Sequence, residues 1–96
     1  DMNAARSLAD EIKANYSDMV AVIAVYAGEK LNFIAVAGKD AIAAGAHAGK
    51  LVGTVSAVTG GKGGGRPDNA MAGGRDADKI DQALAAAKDA LAAMVG

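Results

Sequence analysis

Two cations and a carboxylate stand in a run of glycines, Gly60-Gly61-Lys62-Gly63-Gly64-Gly65-Arg66-Pro67-Asp68. Five of its first six residues are glycine, which is costly to order because each glycine loses more backbone freedom on folding than any other residue. Such density is tolerated where the backbone must take positive φ, or where something must approach the peptide N–H groups closely. Successive N–H groups in a turn form an anion-binding concavity, and Lys62 and Arg66 would add charge for a phosphate. The candidate contact set is Gly61, Lys62, Gly63, Gly64, Gly65 and Arg66, with Lys50 and Arg75 as weaker members, and Pro67, Asp68, Gly73 and Gly74 shape the motif.

Two phosphate motifs are excluded by the residues themselves. The P-loop pattern requires Gly-Lys-Ser/Thr at its end, opening a helix after a strand. Gly60 and Gly65 have its spacing, but Arg66-Pro67 follows, and the run comes after a helical segment. The dinucleotide pattern G-x-G-x-x-G has no match in this run. A flexible linker usually carries serine, whereas this run is followed by Pro67, which fixes its own φ and pushes Arg66 towards extended geometry. Asp68 is placed to cap local N–H groups or to pair with Arg66. Residue chemistry alone leaves a polyanion site and a structural turn both open.

The remaining composition narrows the function classes. A chain of 96 residues is one domain with a modest core. Its 52% of apolar residues is largely alanine, and the aromatics are Tyr16, Tyr26 and Phe33. The absence of cysteine removes disulfides and thiolate metal sites and fits a reducing compartment. A lone histidine, His47, argues against a zinc site; it reads as a surface or helix-start residue. The longest apolar run, Met19 to Ala27, is far short of the roughly 20 residues of a membrane span. No signal peptide or basic tail is visible, and a chain beginning at Asp1 reads as a piece of something larger. Lys39 to Arg75 carries five cations against two acids, net +3, and the remainder five against nine, net −4, which together give the overall −1. A basic patch on an acidic protein suggests a confined polyanion contact.

The elements that must position these residues follow from periodicity. Residues 3–14 read as a helix, with Ala5, Leu8, Ala9 and Ile12 on one face. Met19–Ala27 reads as a strand buried on both faces. After a turn at Gly28-Glu29-Lys30, Leu31–Ala37 is a second strand, with Leu31, Phe33 and Ala35 on one face and Asn32, Ile34 and Val36 on the other. The short connection makes an antiparallel hairpin. A helix follows, starting as early as Asp40 and secure from Ala48 to Thr59, with Gly60 at its C′ position. After the glycine loop, Asn69–Ala72 adds a short strand, and Asp76 or Asp78 caps a last helix bearing Ile80, Leu84, Ala87, Leu91 and Met94. The fold class is α+β: a small mixed or antiparallel sheet with a β-hairpin, packed by two to three helices. Gly45, Gly49 and Gly53 recur every four residues, which predicts close backbone approach to the sheet, at Gly53 at least, or a helix start at Gly49 that leaves Gly45 in a loop.

The glycine run through Asp68, then Ala70 and Ala72-Gly73-Gly74, resembles the signature of the DHHA1 domain family, as it occurs at the C-terminal end of alanyl-tRNA synthetases. Ala48-Gly49-Lys50-Leu51-Val52 is similar to that family's helix start, and the resemblance runs from about residue 19 to the end. Related domains follow the DHH phosphoesterases, where the motif usually ends in histidine; Arg66-Pro67-Asp68 resembles the synthetase branch. One departure is visible: where the family commonly reads Met-Ala-Gln after the aspartate, this chain has Asn69-Ala70-Met71.

The resemblance implies a non-catalytic tRNA-binding domain that grips the outer corner of tRNA(Ala) and supports aminoacylation and editing elsewhere in a class II alanine–tRNA ligase. It implies that residues 1–16 are the tail of a helical dimerisation segment and 17–96 the globular domain. It also implies no cofactor in this piece, with ATP, magnesium and zinc used elsewhere in the parent. The implied partners are tRNA(Ala), the parent's other domains and a possible homodimer, with no membrane and a cytoplasmic setting. Two rivals remain: the substrate-binding domain of a DHH-family phosphoesterase, and a structural dimerisation module.

Overall fold

The computed structural model describes residues 2–95; Asp1 and Gly96, which the sequence reading assigns to its first and second segments, lie outside them. The chain runs α1 (Met2–Asn15), β1 (Val20–Ala27), β2 (Lys30–Ala37), α2 (Lys39–Ala43), α3 (Ala48–Val58), β3 (Gly63–Gly65), β4 (Asn69–Gly74) and α4 (Ile80–Val95), with a single 3₁₀ turn at Ala77–Lys79 before the last helix. The four strands form one sheet in the order β1-β2-β4-β3, every neighbour antiparallel. This is the α+β class that the periodicities predict.

The period-two alternation of β2 builds both cores. Leu31, Phe33 and Ala35 face α3 and α4, where Leu51, Val52, Val55, Ala83 and Ala87 meet them, together with Ala70 and Ala72 of β4. Phe33 is fully buried and is paired with Ala24 on one side and Ala72 on the other, so small neighbours make room for the one large ring. Ile34 and Val36 point to the opposite face, against Ala5 and Ala9 of α1. Alanine on α1 lets that helix sit close to the sheet. Leu8, expected on its apolar face, lies to the side and is half exposed.

Four expectations are corrected. The run Met19–Ala27 is not buried on both faces: β1 is an edge strand, half buried over most of its length and exposed at Tyr26 and Ala27. Its apolarity matched a central strand, but that place is taken by β2, between β1 and β4. The segment after Gly38 divides into α2 and α3, because Gly45 has φ +118°, a value that ends a helix. The glycine run is not wholly a loop, since Gly63–Gly65 is the strand β3, paired with Ala70–Ala72. Gly53 has open space where a side chain would be, whereas Gly49 is the tight position: a Cβ there would strike the carbonyl of Gly65. The strand expected at Asn69–Ala72 continues to Gly74. Asp76 takes the position before the 3₁₀ turn without a side-chain capping bond. Among the described residues no helix is long and apolar enough to cross a membrane.

The two helix glycines separate experimentally. Gly53→Ala should stabilise the fold by about 0.5–1 kcal/mol, the ordinary gain for replacing an unconstrained helical glycine. Gly49→Ala should destabilise it by about 1–3 kcal/mol through overpacking against β3. Denaturant melts of both variants check this; equal stability for Gly49→Ala and the parent would refute the close approach.

Candidate functional site

The glycine run is strung along α3 between two anchors. At the C-terminal end of α3, Gly60 takes φ +77° and its N–H donates to the Ala57 carbonyl (3.4 Å), while the Gly61 N–H donates to the Ser56 carbonyl (2.7 Å). This pair of bonds is the Schellman arrangement. Thr59 is fully buried, and its carbonyl accepts from the N–H groups of Arg75 and Asp76, both at 2.9 Å. At the N-terminal end, the Ala48 N–H donates to the Pro67 carbonyl (2.8 Å) and the Gly49 N–H to the Arg66 carbonyl (3.1 Å). His47 is the N-cap: its Nδ1 accepts from the Lys50 N–H at 3.1 Å.

These bonds settle where the amides point. The helix N-terminus, otherwise a ready anion site, spends its first-turn donors on the turn carbonyls and on His47. Along β3, Gly73 N–H donates to the Lys62 carbonyl (3.0 Å) and Arg66 N–H to the Asn69 carbonyl (3.1 Å). In an antiparallel ladder this alternation pairs Gly64 with Met71 and turns Gly63 and Gly65 away from β4. The amides of the run therefore do not converge on one point, and the concavity expected from the sequence is absent from this backbone.

The charge lies on side chains, in two groups. Lys62 and Arg75 line one shallow depression with Gly60, Gly61, Gly73 and Gly74. Arg66 is at the other end of β3, about 13 Å further on at roughly 3.3 Å per strand residue. The Lys50 side of α3 adjoins it, because Gly49 bonds the Arg66 carbonyl. Asp68 holds Arg66 in place: Arg66 Nε donates to Oδ1 at 3.2 Å and Nη2 to Oδ2 at 3.3 Å. The Arg66 side chain remains 76% exposed. Lys13 of α1 reaches the same carboxylate, Nζ to Oδ2 at 2.6 Å. The hydrogen bond from Lys13, then that from Arg66, holds the Asp68 carboxyl at about 2 against an ordinary 3.8, with burial opposing. Pro67 contributes its carbonyl to α3, and the Asp68 carbonyl accepts from the Ala37 N–H at 3.1 Å.

The structure thus brings Lys62 together with Arg75, and Arg66 together with Asp68. It adds Lys13 and Arg6, which sequence reasoning did not connect to the motif. Arg6 Nη2 lies 3.4 Å from the Met71 Sδ. No local signal marks these two cations, since 55 and 65 residues separate them from their partners. Among the described residues no group of three His, Cys, Asp or Glu side chains is placed to hold a metal.

Comparison with known proteins gives a consistent result. The family described as "DHHA1 domain" matches residues 1–93. The alanine–tRNA ligase of Shouchella clausii is 53% identical over 72 residues, and that of Bacillus subtilis 47% over 72 residues, each match covering 75% of this chain. The chain spans only 8% of the length of either relative. Among solved structures, the C-Ala domain from Aquifex aeolicus alanyl-tRNA synthetase superposes with a TM-score of 0.74 at 30% identity, covering 95% of this chain and 78% of that one. The resemblance read from the glycine signature is met by family, relatives and fold alike.

The Asp68 linkage has a defined pH signature. A carboxyl whose pKa is lowered on folding contributes stability that is present above its unfolded value, near 4, and lost as pH falls through about 2. Asp68→Asn should lower neutral-pH stability by no more than about 1 kcal/mol, as for an exposed ion pair. The difference from the parent should shrink as pH falls below 4 and be lost below pH 2. Thermal melts from neutral pH to below pH 2 check it; a difference that stays constant over that range would rule the linkage out.

Proposed function

The chain belongs to the DHHA1 domain family, and from that we propose that it is the C-terminal, non-catalytic tRNA-binding domain of an alanyl-tRNA synthetase. One observation carries the reading: the fold of a synthetase C-Ala domain extends over 95% of the chain, and its glycine-rich edge strand is flanked by exposed cations. Lys62 and Arg75 at one end of β3 and Arg66 at the other, with Lys50 on the adjoining first turn of α3, are exposed along an edge that no other strand covers among the described residues. Side-chain cations spaced along a strand suit consecutive phosphates of a nucleic-acid backbone.

In this reading the ligase chemistry, with its ATP, magnesium and zinc, belongs to other parts of the parent, and this domain binds no cofactor. The parent is an alanine–tRNA ligase, its substrate tRNA(Ala), and the setting cytoplasmic. The contacts are the side chains of Lys62 and Arg66, with close approach to the outward-facing backbone of Gly63 and Gly65 and support from Lys50 and Arg75. A second reading, a dimerisation module, has β1 in its favour, because this edge strand of eight residues carries no charge and edge strands accept partners.

Titration of labelled tRNA(Ala) transcript with the 96-residue chain tests the proposal. Lys62→Ala with Arg66→Ala should weaken binding on the order of tenfold and reduce the slope of log K against log salt by about one per cation removed. The circular dichroism spectrum should be unchanged. Unaltered affinity in the double variant would defeat the assignment, and tighter binding to short single strands than to tRNA would favour a phosphoesterase-type domain. Sedimentation as a stable dimer with no RNA-induced shift at Gly60–Arg66 would favour dimerisation.

A further inference from the structure

Six large apolar side chains are exposed among the described residues, and four of them gather on one side of the molecule. Tyr26 lies near one end of β1 and Met19 just before the other. Tyr16 is tied to that second end, because the Met19 N–H donates to its carbonyl at 3.3 Å. Leu8 is the fourth. Arg6 and Lys13 reach Met71 and Asp68 on the β4 side of α1. At about 100° per residue Leu8 lies on the opposite side of the helix, towards β1. Exposed apolar side chains gathered in this way mark an interaction site.

The strand at the centre of this patch lacks the usual protections of an edge. Edge strands are ordinarily kept short, charged, bulged or covered. β1 has eight residues, no charge, no proline and an unbroken register with β2; the opposite edge, β3, has three residues. The hydrogen bonds show which groups of β1 are free to pair. The Gly38 N–H donates to the Met19 carbonyl at 2.9 Å, while the Ala37 N–H is turned to the Asp68 carbonyl at 3.1 Å. Met19 therefore faces β2, and Val20, opposite Ala37, faces away. By antiparallel alternation Val20, Val22, Ala24 and Tyr26 present their N–H and C=O groups at the open edge. Their side chains share the α3/α4 face with Leu31, Phe33 and Ala35, their partners in β2. On that face Val20 and Val22 line an apolar groove of about 270 Å³ with Leu51 of α3 and Leu84, Lys88 and Leu91 of α4.

We propose that this groove takes the Tyr26 ring of a second copy of the chain, brought there by antiparallel pairing of the two β1 strands about a two-fold axis. The pattern of the strand selects this occupant. An axis perpendicular to the sheet keeps both faces continuous, so only residues of the same face oppose one another. The register centred on Ile23 sets Val20 against Tyr26 of the copy and Val22 against Ala24. It pairs every free N–H and C=O group of those four residues, whereas centring on Ala24 would leave Val20 opposite the turn glycine Gly28. Tyr26 of each copy then stands beside Val20 of the other, at the groove, with Lys88 as the cation that can meet its hydroxyl. On the other face Leu8 of each copy extends towards the partner strand. An uncharged strand that pairs with itself meets no like-charge repulsion. The surface is not the one that the family resemblance implies, since β1 and α4 supply most of it and residues 1–16 only its margin. The proposal deepens the dimerisation reading of β1 and holds alongside tRNA binding. The sheet becomes eight-stranded with a free β3 at each end, about 34 Å apart at roughly 4.8 Å per strand.

Sedimentation equilibrium of the 96-residue chain, over a concentration series rising to millimolar, tests this, with tRNA(Ala) transcript titrated separately. The chain should show a reversible monomer–dimer equilibrium. Tyr26→Ala should weaken it about tenfold, the loss expected when an aromatic anchor leaves its pocket. The melting temperature of the dilute variant and its tRNA affinity should match the parent. Cross-linking reads the register, since the chain has no cysteine of its own. At the axis Ile23→Cys meets its own copy in a non-hydrogen-bonded pair with Cα atoms about 4.5 Å apart, within disulfide range. Diamide should therefore link Ile23→Cys into a dimer. Ala27→Cys lies about 26 Å from its own copy at roughly 3.3 Å per residue and should stay unlinked. A chain that is monomeric throughout the series would overturn the proposal. Parental dimer affinity in Tyr26→Ala, or linkage of Ala27→Cys as ready as that of Ile23→Cys, would overturn it as well. Each of these results leaves the tRNA-binding reading standing, and a dimer that binds no tRNA would leave this one. Should Ile23→Cys fail to fold, Tyr26→Ala alone decides.

Discussion

Everything that the glycine run does depends on its being tied to both ends of one helix. Ala48 and Gly49 donate to the carbonyls of Pro67 and Arg66, and Ser56 and Thr59 accept from Gly61, Arg75 and Asp76. The lengths agree. The 11 residues of α3 span about 16 Å at 1.5 Å each, and the five steps from Gly61 to Arg66 span about 17 Å at 3.3 Å each. A chain fixed at two points that far apart over so few residues has no slack for a concave turn. It must be extended, and once extended it pairs with β4. Glycine at Gly49 then lets α3 lie directly on the strand it has stretched. The same bonds satisfy the helix-end donors and acceptors that would otherwise be orphaned.

Local chemistry was legible where it decides the outcome locally. The alternation of Leu31, Phe33 and Ala35 against Ile34 and Val36 assigns each residue of β2 to its face wherever that strand sits. Gly60 ends its helix because it alone can take the required φ without strain. What sequence could not supply was position. Met19–Ala27 has the composition of an interior strand, but which strand becomes interior depends on β4 arriving from forty residues downstream to pair with β2. Gly49 and Gly53 occupy the same stripe of α3 and are indistinguishable as letters. One faces β3 and the other open space, a difference that appears only once the strand has been laid along the helix.

The same division runs through the candidate site. Lys62, Arg66 and Arg75 stood out because they are cations among glycines, and they are exposed in the fold. Their grouping was not readable. Lys62 joins Arg75 because β3 and β4 are antiparallel, which brings residues thirteen apart in sequence to one end of the strand pair. Lys13 joins Asp68 because α1 crosses the sheet and ends beside the β3–β4 turn. Asp68 then faces two cations, whose hydrogen bonds, that of Lys13 first, hold its carboxyl at about 2, while the Arg66 side chain keeps most of its surface in solvent.

Moving the charge from amides to side chains changes what the site can recognise. A nest of amides fixes an anion at one point with rigid geometry and suits a single phosphate. Cations on flexible stems at the two ends of a strand accept phosphates over a range of positions, and their attraction is screened by salt. Such a contact positions a backbone and carries no sequence information. What gives it shape is the surface between the cations, here the glycine backbone of Gly63–Gly65. On the tRNA-binding proposal, bare backbone at the centre with side-chain charge at the edges suits the outline of a folded nucleic acid more than the identity of any base in it.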